Sequence, residues 1–263
     1  MLRARRFGNV FNYLLAQDAG RSTNKSFIMP THRFNLLRRI RNRFRRWRAP
    51  VTNPAHTISP ELLGSWFEGK DFSIDYTSYN VPRWASLLWH ERDRIRYVLE
   101  IGTLEGRTAV FWLEFLPNST ITCIDNFEGT PVQPSDPNLR AQIPFREQRF
   151  DANLAPYRNR VRKIKSRSAS ALDVLYYANE SFDLIYVDGD HRCHAVLVDS
   201  ALALQMLKPN GILIWDDYAW DELPVKGPGP AIDAIMALYK DELEVLHEDY
   251  QLVVRKRCGA QRL

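Results

Sequence analysis

The chain has 263 residues, 45% of them hydrophobic, with modest Gly and Pro content and a formal net charge of +5, enough to bury one substantial core and a small appendage. No apolar run approaches the roughly 18 residues of a membrane span, and nothing near the N-terminus has the form of a secretory signal, so the chain is expected to stay in the cytoplasm. Cys123, Cys193 and Cys258 are widely spaced and form no CxxC pair, so neither a disulfide framework nor a thiolate zinc site is indicated.

The charge is unevenly divided. Residues 1–50 hold 13 of the 36 Lys and Arg and a single acid, Asp18, giving +12, and the rest of the chain carries −7. Within the basic part, Phe34, Leu37, Ile40, Phe44 and Trp47 recur at helical spacing between Thr31, a candidate N-cap, and Pro50, a stop. This predicts an amphipathic, Arg-rich helix. Its apolar stripe suits packing on the body of the protein or peripheral contact of residues 31–48 with an anionic membrane surface. Nucleic acid is disfavoured as a partner because the body is acidic and repels polyphosphate. Residues 1–59 therefore read as an extension and linker, and residues 60–263 as the main domain.

From Pro60 the chain alternates helical and extended patterns. A helix is predicted over Val81–Arg92, burying Val81, Trp84 and Leu88, and strands at Tyr97–Gly102, Thr120–Asp125, Val161–Lys165, Phe182–Asp188 and Gly211–Asp216 with helices between them. Near-continuous apolar strands are the mark of a parallel sheet covered on both faces, so the expected fold is α/β: a Rossmann-like, doubly wound sheet. A helix over Ala231–Lys240 and a terminal antiparallel hairpin turning at His247-Glu-Asp complete it. Ligands of such sheets collect at the carboxyl ends of the strands.

The first of those ends is LEIGTLEGRT, with Glu100, Gly102 and Gly106 in an ExGxxxG pattern whose glycines permit close approach of a ligand. The spacing is not the GxGxxG that brings backbone N–H groups to a pyrophosphate. Asp125 ends the second strand, where a carboxylate accepts hydrogen bonds from a ribose diol; together these suit a nucleoside without phosphate. Two other strand ends are acidic. DLIYVDGDH delivers Asp188, Asp190 and His191, and ILIWDDY delivers Asp216 and Asp217. Asp188, Asp216 and Asp217 at one sheet edge would repel by several kcal/mol unless a cation sits among them, and hard oxygen ligands suit Mg²⁺. Asp190 is placed to N-cap the next helix. His191 and His194 then fall in its first turn, where the dipole favours a neutral ring able to take a hydroxyl proton; His191 is the candidate base and His194 a packing residue. Trp215, Tyr218 and Trp220 either line an acceptor pocket or pack beneath a lid.

VLEIG…EG, DLIYVDGDH and LKPNGILIWDDY in one chain resemble the class I S-adenosylmethionine-dependent methyltransferases, in particular the small-molecule O-methyltransferases of macrocin type, over roughly Trp66–Lys256. The resemblance implies that Glu100, Gly102 and Gly106 shape the pocket for the methionine part of S-adenosylmethionine, that Asp125 holds the ribose hydroxyls, and that Asn126 flanks the adenosine. Ser168 would lie near the adenine, although a cap for the following helix explains it equally well; for Gly106 and Asp125 the ligand role is favoured over helix packing or a plain strand end. Asp188 would border the cofactor and, with Asp216 and Asp217, hold magnesium. The acceptor would be a hydroxyl of a small molecule, sugar or phenol. A nucleic-acid methyltransferase using the basic helix, and a binding protein without activity, are the rival readings. The Arg-rich extension departs from the group, so location, oligomeric state and partners do not carry over.

Overall fold

In the computed structural model, residues 56–129, 137–220 and 227–259 are described. The chain divides into two units, Met1–Ile40 and Arg41–Leu263, and every described residue belongs to the second. The predicted helix over residues 31–50 lies outside the described residues.

The elements in chain order are α1 (Pro60–Phe67), α2 (Val81–Leu88), β1 (Tyr97–Ile101), α3 (Arg107–Phe115), β2 (Thr120–Asp125), α4 (Pro137–Ala141), α5 (Arg146–Leu154), β3 (Val161–Lys165), α6 (Ser168–Tyr177), β4 (Phe182–Val187), α7 (Cys193–Met206), β5 (Leu207–Trp215), α8 (Gly229–Leu238), β6 (Leu243–Glu248) and β7 (Leu252–Lys256). The sheet order is β3-β2-β1-β4-β5-β7-β6. The first five strands run parallel, and β7 is antiparallel to both β5 and β6. This is the expected doubly wound sheet with a terminal hairpin. Its winding reverses between β1 and β4, which places a crevice at their carboxyl ends.

Period-two alternation divides each central strand between two cores. Val98, Leu184, Tyr186, Ile212 and Ile214 face Trp84, Phe111, Trp112 and Phe150, while Leu99, Ile185, Val187, Leu213 and Trp215 face Leu172, Leu204, Ile232 and Ile235. Both faces are buried, which is why the strands read as continuous apolar runs. Among the described residues no helix is long and apolar enough to cross a membrane.

Three boundaries differ from expectation. Helix α2 ends at Leu88 rather than Arg92, since Glu91 N–H turns back to the Leu88 carbonyl at 2.9 Å. Strand β5 begins at Leu207, because Leu207 already pairs with Phe182 before a register shift and Asn210 at φ 61° carry the chain through Lys-Pro-Asn. The hairpin turns at residues 249–251, not at His247-Glu-Asp: β6 continues through Glu248, which pairs with Leu252.

Candidate active site

The β1–α3 loop is fastened from below by Asp125. Its Oδ2 accepts the Thr103 and Leu104 N–H groups at 2.9 and 2.8 Å, and its Oδ1 accepts the Phe127 N–H at 2.7 Å. Leu104 and Phe127 both hold positive φ, 50° and 60°, a conformation these charge-assisted bonds maintain. Asp125 Oδ1 keeps a lone pair for a ligand hydroxyl. Beside it, Asn126 Oδ1 accepts from the Glu128 N–H at 2.9 Å.

The glycines also serve packing within the protein. A Cβ on Gly102 would stand 2.1 Å from the Asp188 carbonyl oxygen, and one on Gly106 would stand 3.0 Å from Leu154 and Phe150. Their bare sides therefore face protein: Gly102 lets the loops after β1 and β4 touch, and Gly106 lets α3 close on α5. Glu100 also turns inward. It shares the face of Val98, is fully buried, and accepts from Thr103 Oγ1 at 2.7 Å, with the Cys123 thiol 3.7 Å away. Burial pushes its carboxyl up to about 8, against the lowering effect of these two donors. It braces the loop from within.

Ser168 is the first residue of α6, and Arg167 occupies the N-cap position. The Asp199 carboxyl is buried and raised by that burial to about 6, against the lowering effect of Ser168. Helix α7 starts later than predicted, at Cys193 with Arg192 at the N-cap. Asp190 does not cap it: its Oδ1 accepts the Arg192 N–H at 3.1 Å, and its carboxylate pairs with that guanidinium. His191 consequently precedes the helix, and His194, within the first turn, is exposed rather than packed.

The dipole therefore does not govern His191. Its Nδ1 lies 2.9 Å from Asp217 Oδ2, and the Trp220 ring stands edge-on at 5.0 Å. Burial alone would lower its pKa, but the hydrogen bond and charge of Asp217, with Asp216 and Asp190 behind it, outweigh burial and raise it. The expected neutral-leaning ring is replaced by a more basic imidazole. Ligand atoms of Asp188, His191 and Asp217 all lie within 4.8 Å of one another, a grouping able to hold a metal ion. Asp188 is pushed well upward by burial and then by the charges of Asp216, Asp217 and Glu100.

Asp216 does not join this group, contrary to the expected triad. Strand alternation sends adjacent acids to opposite faces of the sheet, so Asp216 enters the first core beside Tyr186 while Asp217 faces His191. The Asp216 carboxylate is buried and accepts from Gln251 Nε2 and, at 3.4 Å, from Asn80 Nδ2. Burial and the Asp217 charge raise it to about 7. Of the three aromatics, Tyr218 is buried with its hydroxyl on Asp233 at 2.9 Å, and Trp215 is buried with its indole N–H on Ser200 at 2.8 Å; only Trp220 stands by His191.

Sequence reasoning missed Tyr250 and Gln251. Tyr250 donates to Asp217 Oδ1 at 2.7 Å, and Gln251 Oε1 accepts from Trp84 Nε1 at 3.0 Å. Their signal was the pairing of β7 with β5, which becomes readable only once the hairpin turn is placed correctly.

Residues 99–218 match the family described as a methyltransferase domain. That match spans 120 of the chain's 263 residues. Among solved structures, the fold is similar to that of the SAH-bound methyltransferase PaMTH1 of Podospora anserina, at 19% identity and a TM-score of 0.51, covering 90% of this chain and 100% of that one. It is also similar to MycE methyltransferase from the mycinamycin biosynthetic pathway in complex with Mg, SAH and mycinamycin VI, at 18% identity and a TM-score of 0.51, covering 82% of this chain. The chain spans 58% of the length of MycE. No curated protein matches it in sequence.

Proposed function

We propose that the methyltransferase domain moves the methyl group of S-adenosylmethionine to a hydroxyl of a small molecule, sugar or phenol, with Mg²⁺ held at the acid cluster. The observation that carries this reading is adjacency. Asp188 and its loop touch Gly102, so the loop that Asp125 fastens and the Asp188–His191–Asp217 group share one edge of the sheet. A nucleoside sulfonium bound over the first would present its methyl group beside the second.

The donor set fits a small divalent cation. Asp188 and Asp217 supply hard oxygens, and beyond the effect of burial the neighbouring acid charges push Asp188 further upward, a repulsion that a cation would relieve. Bound there, the ion would lower the pKa of an acceptor hydroxyl. The rest is the work of the chain itself. Asp125 and the β1–α3 loop orient the nucleoside, and His191 takes the hydroxyl proton on Nε2 while Asp217 holds Nδ1. The acceptor oxygen attacks the methyl carbon in line, the C–O bond forms as the C–S bond breaks, and S-adenosylhomocysteine leaves as a neutral thioether. That MycE is bound to Mg and SAH supports this reading.

The test is transfer of labelled methyl from S-adenosylmethionine to a panel of sugars and phenols. Label should appear on a hydroxyl oxygen, stop with EDTA and return with Mg²⁺, and His191→Ala should lower kcat by roughly 10²- to 10⁴-fold. Label on nucleic acid would overturn the acceptor class, and transfer indifferent to chelation would overturn the cation.

A further inference from the structure

The β6–β7 turn faces the acid pair at the end of β5 one residue to one. In the antiparallel register Trp215 pairs with Leu252, so the same register carried past the strand ends sets Asp216 opposite Gln251 and Asp217 opposite Tyr250. Opposed residues of an antiparallel pair share a face, which is how two consecutive turn residues reach two acids on opposite sides of the sheet. Both contacts are made: Gln251 Nε2 donates to Asp216, and Tyr250 Oη donates to Asp217 Oδ1 at 2.7 Å. The pairing is backed by the main chain, since Ala219 N–H donates to the Tyr250 carbonyl at 3.0 Å.

The turn is itself pinned. Asp249 accepts the Gln251 N–H on Oδ1 at 3.0 Å and holds Arg83 of α2 on Oδ2 at 2.6 Å. The Gln251 amide has one permitted orientation: its oxygen meets two donors, Trp84 Nε1 at 3.0 Å and Arg83 Nη1 at 3.3 Å, so its nitrogen must face Asp216. Nothing at this turn is left to rotate freely around the acids.

Asp217 is the acid for which this matters most. Its two oxygens are divided, Oδ1 to Tyr250 and Oδ2 to His191 Nδ1. A carboxylate held at one oxygen by a fixed donor presents the other in a single direction. Partners of this kind govern the orientation of a metal ligand or a base without touching either substrate or ion.

We propose that Tyr250 is a positioning residue that orients Asp217 toward His191 and toward a divalent cation shared with Asp188. The proposal rests on the cation reading above, and its test separates the two. Tyr250→Phe keeps the ring and removes the hydroxyl. In the full-length chain saturated with S-adenosylhomocysteine, Mn²⁺ affinity is measured by electron paramagnetic resonance and the His191 Nδ1 environment by ¹⁵N NMR. The melting temperature and the affinity for S-adenosylhomocysteine serve as controls for the fold. Tyr250→Phe should weaken Mn²⁺ binding by about 10- to 100-fold and move the His191 Nδ1 resonance, with both controls unchanged. Unchanged Mn²⁺ affinity and an unmoved resonance would overturn the role of Tyr250 while leaving the cation site standing. If the wild-type chain binds no Mn²⁺, the cation reading fails and the resonance alone decides: moved, Tyr250 orients Asp217; unmoved, it does not.

Discussion

Glu100 is a carboxyl group with no exposed surface, one donor hydroxyl, one thiol neighbour and an Oε1 without a hydrogen-bond partner. Its folded-state pKa, about 8, stands above the 4.5 of an exposed glutamate. Folding therefore favours the protonated form. The stability this contributes is complete below pH 4.5 and is lost as pH rises through about 8. Thermal melts of the wild type should fall across that interval, and Glu100→Gln, neutral at every pH, should flatten the fall. A wild-type profile that rises from pH 5 to 8, with the variant following it, would show that Glu100 is ionised in the fold. The residue type and position were plain in the sequence as an acid before a glycine loop. Its direction was not, because whether residue 100 faces a ligand or a core depends on strand parity, and only the covering helix α3 settles what lies on that face.

At the scale of elements, α2 and the β6–β7 turn act as one support for the carboxylate end of the sheet. Trp84 is the centre of that support: it is fully buried, packs with tilted rings against Trp112 at 4.8 Å and Phe111 at 5.3 Å, and donates its indole N–H to Gln251. Trp84→Ala should cost about 3–5 kcal/mol of stability, read by chemical denaturation, because it leaves both a cavity and an unpaired Gln251 oxygen. A loss under about 1 kcal/mol would mean that α2 is not part of the cooperative core. Burial of Val81, Trp84 and Leu88 was legible as helical spacing. The turn was not: Glu248 reads as loop by composition, yet pairing with Leu252 keeps it in the strand and shifts the turn to residues 249–251. That shift hid Tyr250 and Gln251. The start of α7 was displaced in the same way, since Asp190 binds the Arg192 guanidinium more readily than it caps a helix, and His191 thereby moves out of the dipole and onto Asp217.

For the whole molecule, the parallel sheet was the most legible feature, because three near-continuous apolar strands among five extended segments that alternate with helices admit few other arrangements. The site was legible as residue types at strand ends but not as contacts. Asp216 and Asp217 look equivalent in sequence, and only their alternation across the sheet separates a buried acid bonded to Gln251 from one facing His191. The central claim concerns the ligand that this edge receives, and calorimetric titration of the full-length chain with S-adenosylhomocysteine, with NAD in parallel, tests it most directly. The account predicts saturable one-to-one binding of S-adenosylhomocysteine and none of NAD. Asp125→Ala should weaken that binding tenfold or more, because the loop would lose three charge-assisted hydrogen bonds worth roughly 1.5–3 kcal/mol each. A folded wild-type chain that binds NAD in preference, or that releases no heat and shows no saturation with S-adenosylhomocysteine, would contradict it.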